Sequence, residues 1–170
     1  MKRLLEASLL AAVVCLAGCQ NGGRLSLFPA LPHPVEKIDR VEIVMNPPAP
    51  LNWDDDPGLD GLLVQVYFWR LDEDQKLAVP ASGTLQLLLY EGLQTADEAA
   101  SKPAFQSWTF TDAQLAGFLS RSIFGWGYGM PLAWGKHVPT SRSVTLIARH
   151  RSVSGVVTSS KPLNVAMGPT

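Results

Sequence analysis

The segment LLVQVYFWRL, residues 62–71, is the strongest strand signal in the chain. Side chains alternate between the two faces of a strand, so Leu62, Val64, Val66 and Phe68 share one face, and Leu63, Gln65, Tyr67 and Trp69 share the other. Both faces are largely apolar, which is typical of a strand buried within a sheet. We therefore predict a central strand whose first face lies in an inter-sheet core. The second face is expected to lie beneath a short helix at residues 112–119.

Similar alternation predicts further strands on both sides of this segment. They lie at residues 41–45, 84–90, 105–110 and 143–152 and in a C-terminal stretch broken near Pro162. Residues 125–134 fit an edge strand or an irregular extended segment, since Pro131 cannot donate to a strand ladder. About seven strands separated by turn signals predict an all-β chain: a single β-sandwich of the immunoglobulin or fibronectin type III kind. A transthyretin-like or C2-like sandwich remains open.

One segment changes to the period of a helix. Thr111 and Gln114 have the spacing of a capping box. Leu115, Phe118 and Leu119 then fall at helical spacing, which predicts a short amphipathic helix over the core. Residues 92–103 are expected to form a polar loop with a short helical turn at TADEAA.

The N-terminus has the pattern of an export signal. Lys2 and Arg3 precede an apolar run from Leu9 to Leu16, which is too short to cross a bilayer. Leu16-Ala17-Gly18-Cys19 then resembles the bacterial lipobox. The resemblance implies a signal peptide at residues 1–18, cleavage before Cys19, and covalent lipid on the Cys19 thiol and on the new amino group.

Residue 20 and the following segment suggest where the chain is held. Gln20 replaces the aspartate that usually signals inner-membrane retention, so the resemblance implies an outer-membrane lipoprotein facing the periplasm. Residues 19–35 form the lipidated N-terminus and a tether containing Gly22-Gly23 and several prolines. Residues 36–170 form the sandwich domain, which contains no cysteine and therefore no disulfide.

The charge balance excludes one class of partner. Lysine and arginine together number 14 and aspartate and glutamate number 15, whereas nucleic-acid-binding domains usually show a basic excess. We therefore expect no nucleic-acid partner. The expected contacts are the membrane, through the lipid anchor, and an envelope protein or polysaccharide.

An acidic segment at residues 52–61 is the one candidate metal site. Asn52, Asp54, Asp56 and Asp60 have the spacing of the first ligands of a calcium loop. Pro57 replaces the glycine at the sixth position, and Leu63 stands where a bidentate glutamate is needed. The pattern therefore suggests a weak calcium site or a solvated acidic turn. No other cofactor is indicated.

No catalytic motif is present. The three histidines, His33, His137 and His150, lack metal-ligand spacing, and His150 is expected to be exposed near a strand end. There is no Gly-x-Ser-x-Gly nucleophile elbow. Trp126, Tyr128 and Trp134 alternate with small residues, so they form either a sheet core or a stacking patch for a sugar or a protein. We predict a protein that is not an enzyme.

Three functions are consistent with these patterns. The chain resembles bacterial β-sandwich lipoproteins of the envelope, with a tether, an Asp-rich turn before a long strand, and a Gly-Thr-Leu strand ending in Leu-Tyr. That resemblance implies binding to proteins or wall polymers. Asn46-Pro47 and Val64-Gln65-Val66-Tyr67 are similar to a segment order in the type VI secretion outer-membrane lipoprotein. A carbohydrate-binding module would use Trp126, Tyr128 and Trp134.

Overall fold

The computed structural model describes residues 32–71 and 77–167, and these fold as an all-β sandwich with two short helices. The prediction of fold class is confirmed. The strands are β1 (Arg40–Met45), β2 (Gly61–Trp69), β3 (Thr84–Glu91), β4 (Gln106–Phe110), β5 (Leu119–Ser122), β6 (Gly125–Ala133), β7 (Ser143–Arg151), β8 (Val157–Ser159) and β9 (Leu163–Ala166). The helices are α1 (Ala96–Ser101) and α2 (Asp112–Ala116). Among these residues, no helix is long and apolar enough to cross a membrane.

The strand order is that of an immunoglobulin-like sandwich. The first sheet has the order β1-β2-β6-β5, and the second has β4-β3-β7-β8, with β9 also pairing with β7. All strand pairs within the sheets are antiparallel. This corresponds to strands A-B-E-D facing C′-C-F-G, with the last strand divided in two. Pro162 lies in the interruption, because proline cannot continue a ladder.

The central position predicted for residues 62–71 is confirmed. Strand β2 pairs with β1 on one side and with β6 on the other. Its residues Leu62, Val64, Val66 and Phe68 are completely buried. They meet the inner faces of β3 and β7, which contribute Leu85, Leu87, Leu89, Val144, Leu146 and Ala148. The sandwich is therefore held together by apolar residues that alternate along strands of both sheets.

The helix predicted to cover the other face of β2 lies elsewhere, so that prediction is wrong. Helix α2 begins with the expected capping box between Thr111 and Gln114, but its Leu115 is buried in the main core. Phe124 covers Tyr67 instead, with ring centroids 5.7 Å apart. The guanidinium of Arg40 lies 5.0 Å from the centroid of the Trp69 ring. These two aromatic residues are thus covered by neighbours on their own sheet.

Helix α2 is also shorter than its sequence period predicts. It ends at Ala116, and Leu119 begins β5. The Phe118 carbonyl accepts a hydrogen bond from the Gly129 amide at 3.1 Å, so the chain leaves the helix to pair with β6. The backbone groups of residues 119–122 then find their hydrogen-bond partners on β6.

The helical turn expected at TADEAA forms helix α1. Thr95 and Glu98 make a capping box at its start, and Ala99 packs on the outer side of the second sheet against Leu88, Tyr90 and Ile147. This second, smaller apolar cluster explains why β3 and β7 bury residues on both faces.

Strand β6 combines an internal and an edge position. It is internal where β5 pairs with Gly125–Tyr128, contrary to the predicted edge strand or irregular segment. Beyond that point its outer side has no strand partner within the described residues, and Pro131 lies there opposite Leu63. Pro131 has no amide hydrogen to donate, and on that side of β6 the described residues provide no strand to accept one.

Removing part of the β2 core should destabilise the domain strongly. We expect Val66→Ala to lower the free energy of unfolding by about 2–3 kcal/mol, because Val66 is fully buried and the lost methyl groups leave a cavity. Val44→Ala, at a half-exposed position of β1, serves as the control and should change stability little. Urea unfolding of both variants measures the difference. A Val66→Ala protein as stable as the parent would contradict the central placement.

Candidate binding surface

The residues proposed to anchor the chain lie outside the described part. Cys19 and the signal peptide before it precede Pro32, the first residue that the structure describes. Lipidation at Cys19 therefore stays a prediction.

The acidic turn uses its oxygens to hold its own backbone. The side-chain oxygens of Asn52 and Asp54 accept hydrogen bonds from the amides of Asp54 and Asp56, at 3.0 and 2.9 Å. The Asp60 carboxylate accepts one from the Trp53 amide. These contacts resemble Asx turns, which are common in exposed loops. Within residues 32–71 and 77–167, no three His, Cys, Asp or Glu side chains gather closely enough to hold a metal ion.

The aromatic residues suggested as a stacking patch do not form one. Tyr128 and Trp134 are almost completely buried in the main core, and Trp126 is half-buried. The Tyr128 hydroxyl accepts a hydrogen bond from the Ala81 amide at 3.0 Å, and burial raises its pKa. A sugar-binding platform needs exposed rings, so these residues do not support the carbohydrate-binding hypothesis.

His150 is buried, contrary to the expectation of an exposed side chain. Its ring packs against Phe68 with centroids 5.0 Å apart, and its Nε2–H donates to the Ser82 carbonyl at 2.9 Å. Burial lowers the pKa of His150, and the Ser82 hydrogen bond and the charge of Asp112 offset part of this shift. The residue borders a cleft of about 270 Å³ with Glu36, Ser152 and Ser154.

The His150 cleft lacks the arrangement of a nucleophilic site. Ser152 Oγ lies 2.9 Å from Ser154 Oγ, within hydrogen-bond distance, and accepts a hydrogen bond from the Val156 amide at 3.0 Å. The imidazole, in turn, is held by the Ser82 carbonyl. Nucleophilic catalysis requires the hydroxyl and the base to be bonded to each other, and here each has a different partner.

No protein-family model matches this chain, and no curated protein sequence or solved structure is significantly similar to it.

Among the described residues, strand β1 is the longest edge strand of the sandwich. Within the described residues, it pairs only with β2. It has six residues, RVEIVM, without proline or lysine. The other sheet edges are shorter: β4 has five residues, β5 has four, and β8 and β9 have three and four on either side of Pro162. Proteins usually protect sheet edges by short strands, proline or charged side chains, especially lysine. Strand β1 is longer than the other edge strands and has no proline or lysine, and its charged residues are Arg40 and Glu42.

A cleft runs beside β1. It has a volume of about 490 Å³ and separates residues 39–44 from a segment of the second sheet that contributes Ser159, Lys161, Pro162 and Leu163. Its floor is apolar, with Ile43 and Leu163 packed on the main core. Asp39, Arg40, Glu42 and Lys161 supply charges of both signs. We call this region the β1 cleft.

On the face of the first sheet that points away from the core, two side chains of β2 lie over glycines of β6. The Tyr67 ring lies across Gly127, where a Cβ atom would come within 2.5 Å of it, and the Gln65 amide lies across Gly129. Leu63 and Val44 are exposed nearby. We call this surface the outer face. Glycines on β6 thus allow side chains of β2 to lie flat instead of projecting outward.

Sequence reasoning missed the β1 cleft. The alternation of Val41, Ile43 and Met45 predicted a strand, but the sequence did not show whether a further strand would pair with it. RVEIVM contains no proline or lysine, but the strands at the other edges lack them too, so the sequence carries no local signal that distinguishes β1.

The burial of His150 predicts how stability depends on pH. Above about pH 6.5 the imidazole is neutral in both the folded and the unfolded chain, so His150 contributes no pH dependence. Below that value the unfolded chain takes up a proton while the folded protein, with its lowered pKa, does not. The unfolded state then binds more protons, so the free energy of unfolding decreases as the pH falls towards the pKa of folded His150.

Urea unfolding between about pH 5 and pH 8 checks this dependence. We expect His150→Gln to flatten the pH profile, whatever its effect on absolute stability. Equal slopes for the parent and the variant would show that His150 titrates as it does in the unfolded chain.

Proposed function

We propose that the chain is a lipoprotein, anchored in the outer membrane through Cys19, that binds an extended segment of another envelope protein in the β1 cleft. In this proposal the sandwich is a binding module and not an enzyme. The observation that carries the proposed binding is the six-residue edge of β1, which has no partner strand within the described residues and borders a cleft of about 490 Å³.

An edge strand of this kind supports binding by strand addition. A segment of a partner that lies antiparallel or parallel to β1 forms main-chain hydrogen bonds, which provide affinity for any extended peptide. Specificity then comes from alternate side chains. Those directed inward would contact Ile43 and Leu163, and those directed outward would lie near Val44 on the outer face.

The charges around the cleft favour a partner segment that carries both signs. Arg40 and Glu42 project to the same side of β1, and their side chains lie 3.5 Å apart. Lys161 stands on the opposite wall. Pairs of opposite charge on neighbouring strands each contribute about 0.2–1 kcal/mol. These charges therefore favour a particular register of the partner more than they add affinity.

The anchor is supported by the sequence alone. Lys2 and Arg3, the apolar run from Leu9 to Leu16 and the lipobox-like Leu16–Cys19 follow one another at the spacing of a lipoprotein signal. Two or three acyl chains hold a protein firmly in a membrane, since each buried methylene contributes about 0.8 kcal/mol. A binding module held in this way searches for partners along the membrane surface.

Cys19→Ala tests the anchor. We expect the parent chain to sediment with the outer membrane and to carry acyl groups on its first residue by mass spectrometry. The variant should be released from the membrane fraction or stay unprocessed. Ser26→Ala, in the predicted tether, is a matched control that should not change either result. A parent protein with an unmodified mature N-terminus would contradict the proposal.

Photo-crosslinking tests the β1 cleft in cells that produce the full chain. We expect benzoylphenylalanine at Val44 to form an adduct with an envelope protein, and sequencing should locate the adduct in an extended segment. The same residue at Thr109, exposed on the edge strand β4, is the control. Absence of an adduct at Val44, or equal adducts at both positions, would exclude β1 as the binding edge.

A further inference from the structure

Exposed apolar side chains are concentrated at one end of the sandwich. Among the described residues, Ile123, Val153, Leu71 and Val156 are four of the five most exposed large apolar side chains, at 87%, 72%, 66% and 62% of their full surface. Leu77 and Phe124 beside them are about half exposed. We call these six residues the apolar end.

Three separate connections bring the apolar end together. Leu71 and Leu77 lie between β2 and β3, Ile123 and Phe124 between β5 and β6, and Val153 and Val156 between β7 and β8. The Ala78 amide donates to the Phe124 carbonyl at 2.7 Å, which joins the first two connections. Thr84 pairs with Arg151, so the third connection, between β7 and β8, lies beside the start of β3. In immunoglobulin-like sandwiches the corresponding loops share one end.

The turn at Ile123-Phe124 does not need apolar residues for its geometry. Ser122 pairs with Gly125, which has a φ of 109°, whereas neither turn residue has a positive φ. Gly125 therefore takes the conformation that an L side chain rarely adopts. A Cβ atom there would also come within 2.4 Å of the Ala78 carbonyl. A polar residue would fit at 123, so the highly exposed Ile123 is not a requirement of folding, whereas Phe124 also covers Tyr67.

The described chain also begins at this end. Pro32 and His33 line a cleft of about 240 Å³ with Leu77, Arg121 and Trp126. Val35 pairs with Ala81, and the Ser154 amide donates to the Glu36 carboxylate at 2.8 Å. Residues 32–36 thus run from the β5–β6 turn to the β7–β8 turn, between the two apolar tips.

We infer that the apolar end contacts the lipid bilayer that carries the anchor. This inference rests on the proposed lipidation of Cys19. The dozen residues between Cys19 and Pro32 span at most about 40 Å, and they join the domain at the end that exposes Ile123 and Val153. A chain held so close to the membrane has a high effective concentration there, so a weak contact suffices to orient it.

The attraction is apolar and not electrostatic. Arg121 and Arg151 are exposed near the tips, but the sequence between Leu71 and Leu77 contains three acidic residues and one lysine. Binding to anionic headgroups requires clusters of lysine and arginine, which this mixture of charges does not form. The contact should therefore form on zwitterionic lipid and resist salt. It would also direct β1 away from the membrane, since β1 starts at Arg40 near the apolar end and runs towards the opposite end.

A unique thiol makes this contact measurable. Cys15 lies in the signal peptide and the Cys19 sulfur would carry lipid, so Ile123→Cys introduces the one free thiol of the mature chain. The matched control is Leu93→Cys, which is 65% exposed and follows β3 at the opposite end. Each full-length, lipidated variant is labelled with an environment-sensitive fluorophore and reconstituted into phosphatidylcholine vesicles, with and without lipids that carry a quencher in their acyl chains.

In vesicles, we expect the emission maximum of the probe at position 123 to shift to shorter wavelength. Quencher lipids should remove most of its emission, at both low and high salt. The probe at position 93 should do neither. No quenching at 123, or equal quenching at both positions, would overturn the inference, and a wavelength shift without quenching would point to protein contact instead.

The parent chain distinguishes failure of the anchor from failure of the inference. Labelling of the parent would show that Cys19 is unmodified or that the segment with Cys15 is retained, and either result would contradict the proposed anchor. The Cys19→Ala form of each variant, with Cys15 replaced by serine so that one thiol remains, would then be added to the same vesicles. Selective quenching at 123 would still support the bilayer contact. If the parent is not labelled and the probe at 123 is not quenched, the proposed anchor is supported and the contact between the apolar end and the bilayer is excluded.

Discussion

The register of β2 against its two neighbours is the constraint on which the rest of the molecule depends. Val41 opposes Phe68 on one side, and Tyr128 opposes Val66 on the other, so the inner residues of all three strands enter the same core. A shift of one residue would turn Val64 and Val66 outward and bring Gln65 and Tyr67 inside. The burial of the β2 core residues makes that shift prohibitive, and so determines which face of the sheet remains outside.

That outer face follows from where β6 places its glycines. Gly127 and Gly129 stand opposite Tyr67 and Gln65, and there is no room for a Cβ atom beneath the tyrosine ring. The side chains of β2 therefore lie over the neighbouring backbone, and Phe124 and Arg40 complete the cover of the aromatic residues. A covering helix is unnecessary on this side, whereas the second sheet, which has no such glycines among its paired residues, receives α1.

The two proposed contacts use different parts of the sandwich and are mutually compatible. The β1 cleft lies along the side of the sandwich, between the edges of its two sheets, and the apolar end lies at the tips of three connections. A bilayer under the tips would leave the cleft open to the periplasm along its length. One short segment, residues 32–36, lies close to both the proposed lipid contact and the start of β1.

The sequence by itself determined the fold class, the central position of β2 and the capping box at Thr111, because alternation and helix-start signals are local properties of the chain. It did not determine the burial of His150, which alternates with arginines but is enclosed by Phe68 and the Ser82 carbonyl, residues distant in sequence. Nor did it show that Trp134 is inside, that Leu119 leaves its helix to pair with β6, or that β1 has no outer partner among residues 32–71 and 77–167. These outcomes depend on which strands meet, and only the tertiary structure decides that, since long-range pairing has no signature within any single segment.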